Sequence, residues 1–447
     1  MTKRWLRAVS RRPDLACIAA VLISAPVAFD IPTVAKLAML ALASGVVVVG
    51  GPVCGVAVVC AALPVSAFVF LVGSTEWSPL ELALLACGAS TAIAIGVDLI
   101  RARRWIVVTA WIGPVDVMLI AVAILFVGAI SILWVADTDL RSDSLRSLRR
   151  VVFEPLLVIP AMTAVARNRA YAVVARWIAW PAALVAVLAL AQLIVGRSTV
   201  DIGGIARPIG TFTHPNNLAF YLDRAIWFSP LLVVPFVHRG DRWAWTIGGV
   251  ILLATLATLS RGAAIALAAG GVIMFWDLIR ARWRIFAALA VAGIAAIFAS
   301  RYLAETGDSI DTRTTIWRSS VDMLRDRPVT GVGLDQFLGQ YGRRYVRVEG
   351  WPERYTSHPH NFFLDFWLSL GLAGLAILWL MLEAIWARAR ITLDTSGVTA
   401  QRAGVAMLVA GFAHGLIDNS FFLPYLATMT WIGLTISTPR ERTTDRG

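Results

Sequence analysis

Residues 177–195 read WIAWPAALVAVLALAQLIV, nineteen consecutive positions without a charge. At 1.5 Å per residue this run makes a helix of about 28 Å, close to the roughly 30 Å hydrocarbon core of a bilayer. Similar runs recur on both sides of it, and no polar stretch between them reaches the size of a soluble domain. Of the 447 residues, 58% are hydrophobic and 15% charged. A soluble surface usually needs about 25% charged residues, so a soluble enzyme is excluded. The expectation is an all-α polytopic membrane protein: a single transmembrane bundle over residues 1–447, with about 12–14 helices and one large extracytoplasmic loop at 301–360.

Candidate spans lie near 14–30, 33–50, 52–73, 79–99, 105–135, 151–167, 177–195, 217–237, 243–259, 262–279, 285–300, 361–382, 402–417 and 420–437. The 105–135 run reads either as one tilted helix or as one broken at Gly113-Pro114, and the run around Gly51-Pro52 can be divided differently. The first span follows the basic start MTKRWLRAVSRR and reads as a retained helix, since no polar mature domain follows it.

The formal charge is +12, from 40 Lys and Arg against 28 Asp and Glu. The excess is spread between spans, which argues against a nucleic-acid partner and for membrane lipids or an anionic substrate. Cys17, Cys54, Cys60 and Cys87 all sit in apolar runs, so neither a disulfide framework nor a zinc cluster is indicated. Placing both termini in the cytoplasm puts Arg101, Arg103, Arg104, Arg167, Arg169, Arg176, Arg239, Arg242, Arg280, Arg282, Arg284, Arg388, Arg390 and Arg402 on that face, as the positive-inside rule requires. Four segments then face outward: 137–150, 196–215, the turn at Ser260-Arg261, and 301–360. In the last, IWRSSVDMLRDRP has apolar and basic positions at helical spacing, as expected of an amphipathic helix at the membrane surface, and the GVGLDQF turn follows it.

His358 and His360 stand in SHPHNFFLDFWLSLGLAG, where the long outer segment meets a membrane helix. Their i, i+2 spacing across Pro359 does not share a helix face, and no carboxylate or cysteine cluster is near in sequence, so metal chelation is disfavoured. A neutral histidine can take a proton from a hydroxyl, which makes His360 a candidate general base; it could equally cap the following helix or sit among headgroups. Arg207, before PIGTFTHPNN, and Arg261, in TLSRGAAIAL, are arginines between apolar runs. Each could snorkel to headgroups, or both could converge on a diphosphate, whose oxygens suit the guanidinium fork. His214 reads as structural or as a supporting contact, and Asn216 or Asn217 as a helix cap. Glu154, Asp223, Asp365, Asp418 and His414 could form a proton path in a transporter or pair with the arginines.

His360-Asn361, nine residues, then Gly371-Leu-Ala-Gly374 resembles the signature of the O-antigen ligase and polymerase superfamily. Arg207 with Gly210 and HPNNLAFYL, SRGA at 260–263, and RTTIWRSSVDMLRDRPVTGVGLDQF resemble that family's other outer segments in the same order, so the resemblance covers roughly residues 200–380, the catalytic region. The resemblance implies inverting glycosyl transfer from an undecaprenyl-diphosphate-linked glycan at the outer face of the bacterial plasma membrane, without cofactor or metal. It implies His360 as the catalytic residue and Arg207 and Arg261 as the diphosphate-binding pair. His214, Asn361, His358, Arg313 and Arg318 are the candidates for supporting contacts. The acceptor may be sought among glycans, lipids and proteins. A polymerase extending lipid-linked repeat units would use the same residues. A flippase is the alternative from another class, disfavoured because no internal repeat is evident.

Overall fold

The computed structural model describes residues 12–28, 32–72, 75–103, 105–135, 140–202, 204–232, 243–284, 308–395, 397 and 399–438. Among these, five helical segments are long and apolar enough to cross a membrane: Thr33–Val65, Pro79–Ala102, Val115–Trp134, Tyr171–Val195 and Phe362–Leu393. Three shorter apolar helices join them, Pro13–Val27, Trp245–Ala257 and Arg261–Met274. The protein is a mostly helical, polytopic membrane protein with large loops.

The expected spans 33–50 and 52–73 meet where the backbone breaks, at Gly51 (φ +79°, ψ 180°), within the helical stretch Thr33–Ala62. Pro52 tolerates this position because the first residue of a helix needs no N–H donor. Beyond it the expected span stops early: a 3₁₀ turn, Leu63–Val65, leads to a hairpin of Phe70–Val72 and Thr75–Trp77. The 105–135 run is broken, with a 3₁₀ stretch over Trp105–Trp111 and a helix starting at Val115 after Pro114. The expected span 285–300 lies outside the described residues, as does the C-terminal tail from 439.

One apolar core runs through the bundle from Val56 and Leu84 to Phe366, Met407 and Trp431. Small residues let its helices close in. A methyl group at Gly270 would collide with the Trp227 ring, and Trp227 is 5% exposed. That tryptophan is therefore a packing residue.

The long segment has a core of its own. Ile316, Met323 and Leu324 of the Asp308–Asp326 helix bury against Val332, Phe337, Tyr341 and Leu368. The apolar face expected to lie on headgroups is thus occupied by protein. The GVGLDQF turn locks this unit to the Phe362–Leu393 helix at its break, Gly371 (φ +67°, ψ −159°). Val332 and Gly333 donate to the Leu368 carbonyl at 2.8 and 3.2 Å, and Leu372 donates to the Val329 carbonyl at 3.0 Å. A side chain at Gly331 would meet the carbonyls of Trp367 and Leu368, and one at Gly371 the carbonyl of Val329. Glycine is needed at both for close backbone approach and for positive φ.

Candidate functional site

The loop between the Ala400–Gly415 and Pro424–Ile436 helices carries Asp418, 2% exposed. Three chain segments converge on it. His358 Nε2 and His360 Nδ1 lie 2.9 and 2.8 Å from Asp418 Oδ1, and Asn216 Nδ2 donates to Oδ2 at 3.0 Å. Arg313, from the Asp308–Asp326 helix, stands 3.7 Å from Oδ2. Burial alone would raise the Asp418 carboxyl, but His360 and His358 hold it well below the usual carboxylate range. It is a fixed anion.

The first helical turn after His360 is capped by Asn361, whose Oδ1 accepts from the Phe363 and Leu364 amides at 3.0 and 3.2 Å. The capping role considered for His360 is therefore filled by its neighbour. His360 takes a left-handed conformation, φ +52°, unusual for a residue with a Cβ. With Nδ1–H donated to Asp418, Nε2 is left as an acceptor, and the Thr356 hydroxyl stands 3.2 Å from it. This is the geometry of a general base oriented by a carboxylate, with a hydroxyl at the basic nitrogen.

Arg207 reaches the same cluster from the Ile205–Pro208 strand. It donates to the Thr258 carbonyl at 2.5 Å through Nε and to Asn216 Oδ1 at 3.1 Å through Nη2. Asn216 thereby links Arg207 to Asp418. Burial, and then the charge of Arg313, lower the Arg207 guanidinium from its ordinary value, a sign of two cations brought together without a full complement of anions. His214 caps the Pro215–Ala225 helix by accepting from the Asn216 amide at 3.1 Å, the role expected of Asn216 or Asn217. Burial and Arg207 lower its pKa, which keeps the ring neutral and able to accept.

Arg261 begins the Arg261–Met274 helix, is exposed, and takes part in no salt bridge among the described residues. Its turn is anchored from below. Ser260 caps the helix and lies 3.4 Å from His414 Nε2, whose Nδ1 is 2.5 Å from the fully buried Asp223. A methyl group at Gly262 would strike the His414 ring. Arg318, five residues beyond Arg313, points away and is exposed, as a rotation of about 500° along the helix requires.

A cavity of about 390 Å³ opens beside His358, His360 and Asp418 and continues to Asp335 and Asp365. Its size is within the range of about 300–1,000 Å³ typical of small-molecule sites. His358, His360 and Asp418 offer donor atoms within 4.8 Å of one another, a set a divalent ion could use. Such an ion would face Arg207 and Arg313 and would displace the hydrogen bond that orients His360. The surroundings fit a hydrogen-bonded base better than a metal.

Asp418 is the residue whose importance the sequence concealed. It was one of several acidic residues near apolar runs, separated from His360 by two helical segments. Its one signal was the polar DNS at 418–420 interrupting two apolar stretches. Among the other candidate proton-path residues, Glu154 pairs with Arg149 at 3.5 Å, and Asp223 with Arg224 and His414. They form no single line.

A family model described as O-antigen ligase matches residues 247–379, a span holding Arg261, Arg313, His358 and His360. Over that span the chain is similar to the O-antigen ligase family. An O-antigen ligase of Salmonella typhimurium is 28% identical over 159 residues, covering 31% of this chain and 38% of that protein. The chain thus matches well under half the length of this relative. Arg207 and Asp418 fall outside the matched family region, and the fold alone joins them to it.

Proposed function

We propose that the protein is an inverting glycosyltransferase that moves a glycan from an undecaprenyl-diphosphate carrier to an acceptor hydroxyl at the outer face of the bacterial plasma membrane, with both termini in the cytoplasm. The observation that carries this reading is the Asp418–His360 pair, with its free Nε2 facing a hydroxyl, beside the arginines Arg207 and Arg313. The arginine distribution along the sequence supports the orientation.

In this reading the acceptor hydroxyl takes the place that the Thr356 hydroxyl marks. His360 Nε2 removes its proton as the oxygen forms a bond to the anomeric carbon. The bond from that carbon to the diphosphate oxygen breaks, and the electron pair leaves with the lipid diphosphate. Asp418 holds the imidazole tautomer and stabilises the imidazolium that forms. Arg207 and Arg261 meet the added charge on the leaving group, with Arg313 nearby. Attack from the face opposite the diphosphate inverts the anomeric centre. The leaving group stays in the membrane, so the step needs no nucleotide sugar.

The test is transfer by the purified full-length protein from an undecaprenyl-diphosphate glycan to candidate acceptors, followed by mass spectrometry. His360→Ala is expected to lower turnover by 10²–10⁴-fold, the usual contribution of a general base, with donor binding retained. Full turnover by that variant would remove His360 from the role.

A further inference from the structure

The cavity beside His358, His360 and Asp418 is also lined by Asp335, Asp365, Glu353 and Ser369. Arg313 stands on the other carboxylate oxygen of Asp418, and Arg207 is joined to it through Asn216. Asp365 is 5% exposed and lines the cavity, and its Oδ2 has no hydrogen-bond partner among the described residues. Ser369 lies one turn further along the same helix face and also lines the cavity. A buried carboxylate oxygen with no donor is costly to leave unmet, so it implies a donor that arrives with a ligand.

Asp335 is placed with comparable care. It sits in the left-handed region, φ +60°, in the turn clamped to the Leu368 carbonyl. On its two sides Ser144 donates to the Leu334 carbonyl at 2.6 Å, and Gln336 Nε2 donates to Ser144 and to the Leu140 carbonyl at 2.8 and 3.0 Å. These bonds hold a strained backbone that presents an acid to the cavity. Arg146 and Arg150 partly offset its charge. Crowding by the surrounding protein, and then Asp143, raise its carboxyl to about 6, but the residue keeps an exposed side, and it is ionised at neutral pH.

Resting on the transfer reading above, we propose that the part of the cavity lined by Asp335, Asp365 and Ser369 is the acceptor subsite and takes an uncharged, hydroxyl-rich sugar. Carboxyl groups exchange hydrogen bonds with sugar hydroxyls, and the charge of Asp335 repels a phosphorylated or carboxylated ring. Tyr355, Phe337 and Phe422 line the same space and supply apolar faces for stacking. The two substrates are thereby told apart by sign: the arginines hold the anionic donor, and the carboxyl groups the neutral acceptor.

Acceptor binding is measured without donor, on the full chain in lipid nanodiscs. The probes are neutral di- to tetrasaccharides of glucose, galactose, mannose and arabinose, each beside its phosphorylated counterpart. At least one neutral probe should bind at least tenfold more tightly than its phosphorylated form. Asp335→Asn and Asp365→Asn should weaken that binding at least fivefold and narrow the discrimination. Ser369→Ala, the mildest change, should weaken it two- to fivefold and serves if a carboxylate variant does not fold. Equal affinity for neutral and phosphorylated probes, absence of neutral binding, or unchanged affinity in Asp335→Asn and Ser369→Ala would overturn the assignment. Neutral binding as expected with no donor consumption would leave the subsite standing and defeat the transfer reading. Donor turnover without neutral binding would do the reverse.

Discussion

The two ends of the Phe362–Leu393 helix use arginine differently. At the far end Arg388 is 3% exposed and is fully engaged, bonding Asp116 at 2.6 Å, the Leu434 carbonyl at 3.1 Å and Thr438 at 3.2 Å. Arg402, 1% exposed, bonds Asp277 at 2.7 Å and the Thr392 carbonyl at 3.2 Å, its Nε alone lacking a partner among the described residues, and Arg176 bonds Asp14 at 2.7 Å. Near His360, by contrast, Arg313 stands beside a single carboxylate already shared by two histidines, and Arg207 is linked to that carboxylate only through Asn216. A guanidinium whose hydrogen bonds are satisfied inside the protein is structural. Cations that outnumber their anions beside a cavity are poised for an anionic ligand. Burial alone does not separate the two cases, since the most buried arginines are the structural ones.

This contrast can be broken at several points. The largest effect is expected at Asp418, where Asp418→Asn keeps the shape but removes the anion that fixes the His360 tautomer. Turnover should fall by roughly 10²-fold with donor affinity nearly unchanged, and a fall below threefold would detach Asp418 from the base. Next come Arg207→Ala and Arg261→Ala, each expected to weaken donor binding on the order of tenfold, read by titration with lipid diphosphate. Unchanged donor affinity in both would make them no different from the far-end arginines.

Arg388→Ala tests the opposite end. It should lower stability by roughly 1–3 kcal/mol, seen as a lower thermal midpoint, while the folded fraction transfers glycan normally. Asp116 is half exposed, so the effect should stay below that of breaking a fully buried pair.

The smallest effect concerns His214. Its folded pKa is below the ordinary value of 6.5, so between the two values the unfolded chain binds more protons. Its contribution to stability is complete above about 6.5 and is lost as pH falls through the folded value, because a protonated ring cannot accept from the Asn216 amide. His214→Asn, which keeps a cap, should make the thermal midpoint less sensitive to pH between 7 and 5. An identical pH dependence in the variant would show that His214 does not titrate in that window.

Much of the membrane architecture was legible in the apolar runs, because a bilayer imposes its thickness on each helix separately. The breaks were less so. The Gly51-Pro52 pair marked one of them, but Gly371 interrupts its helix without ending the apolar pattern, and only the backbone shows it bent around the Val329 carbonyl. The amphipathic pattern of 308–326 was readable, but not what covers it, since periodicity identifies an apolar face and says nothing of whether lipid or protein meets it. Arg388 and Arg402, which the positive-inside pattern counted among headgroup-facing residues, turn out to be buried ties.

By itself the sequence determined a polytopic helical bundle and singled out His360, Arg207 and Arg261, because hydropathy and short motifs are local properties. The tertiary structure decided that Asp418 orients His360, that Asn361 rather than His360 caps the helix, that Arg313 joins the cluster while Arg318 does not, and that Asp335 and Asp365 line the same cavity as the histidines. Each of these depends on distances between side chains far apart in the chain. Charge and hydrogen bonding act over a few ångströms of space, and only packing brings such groups within that range.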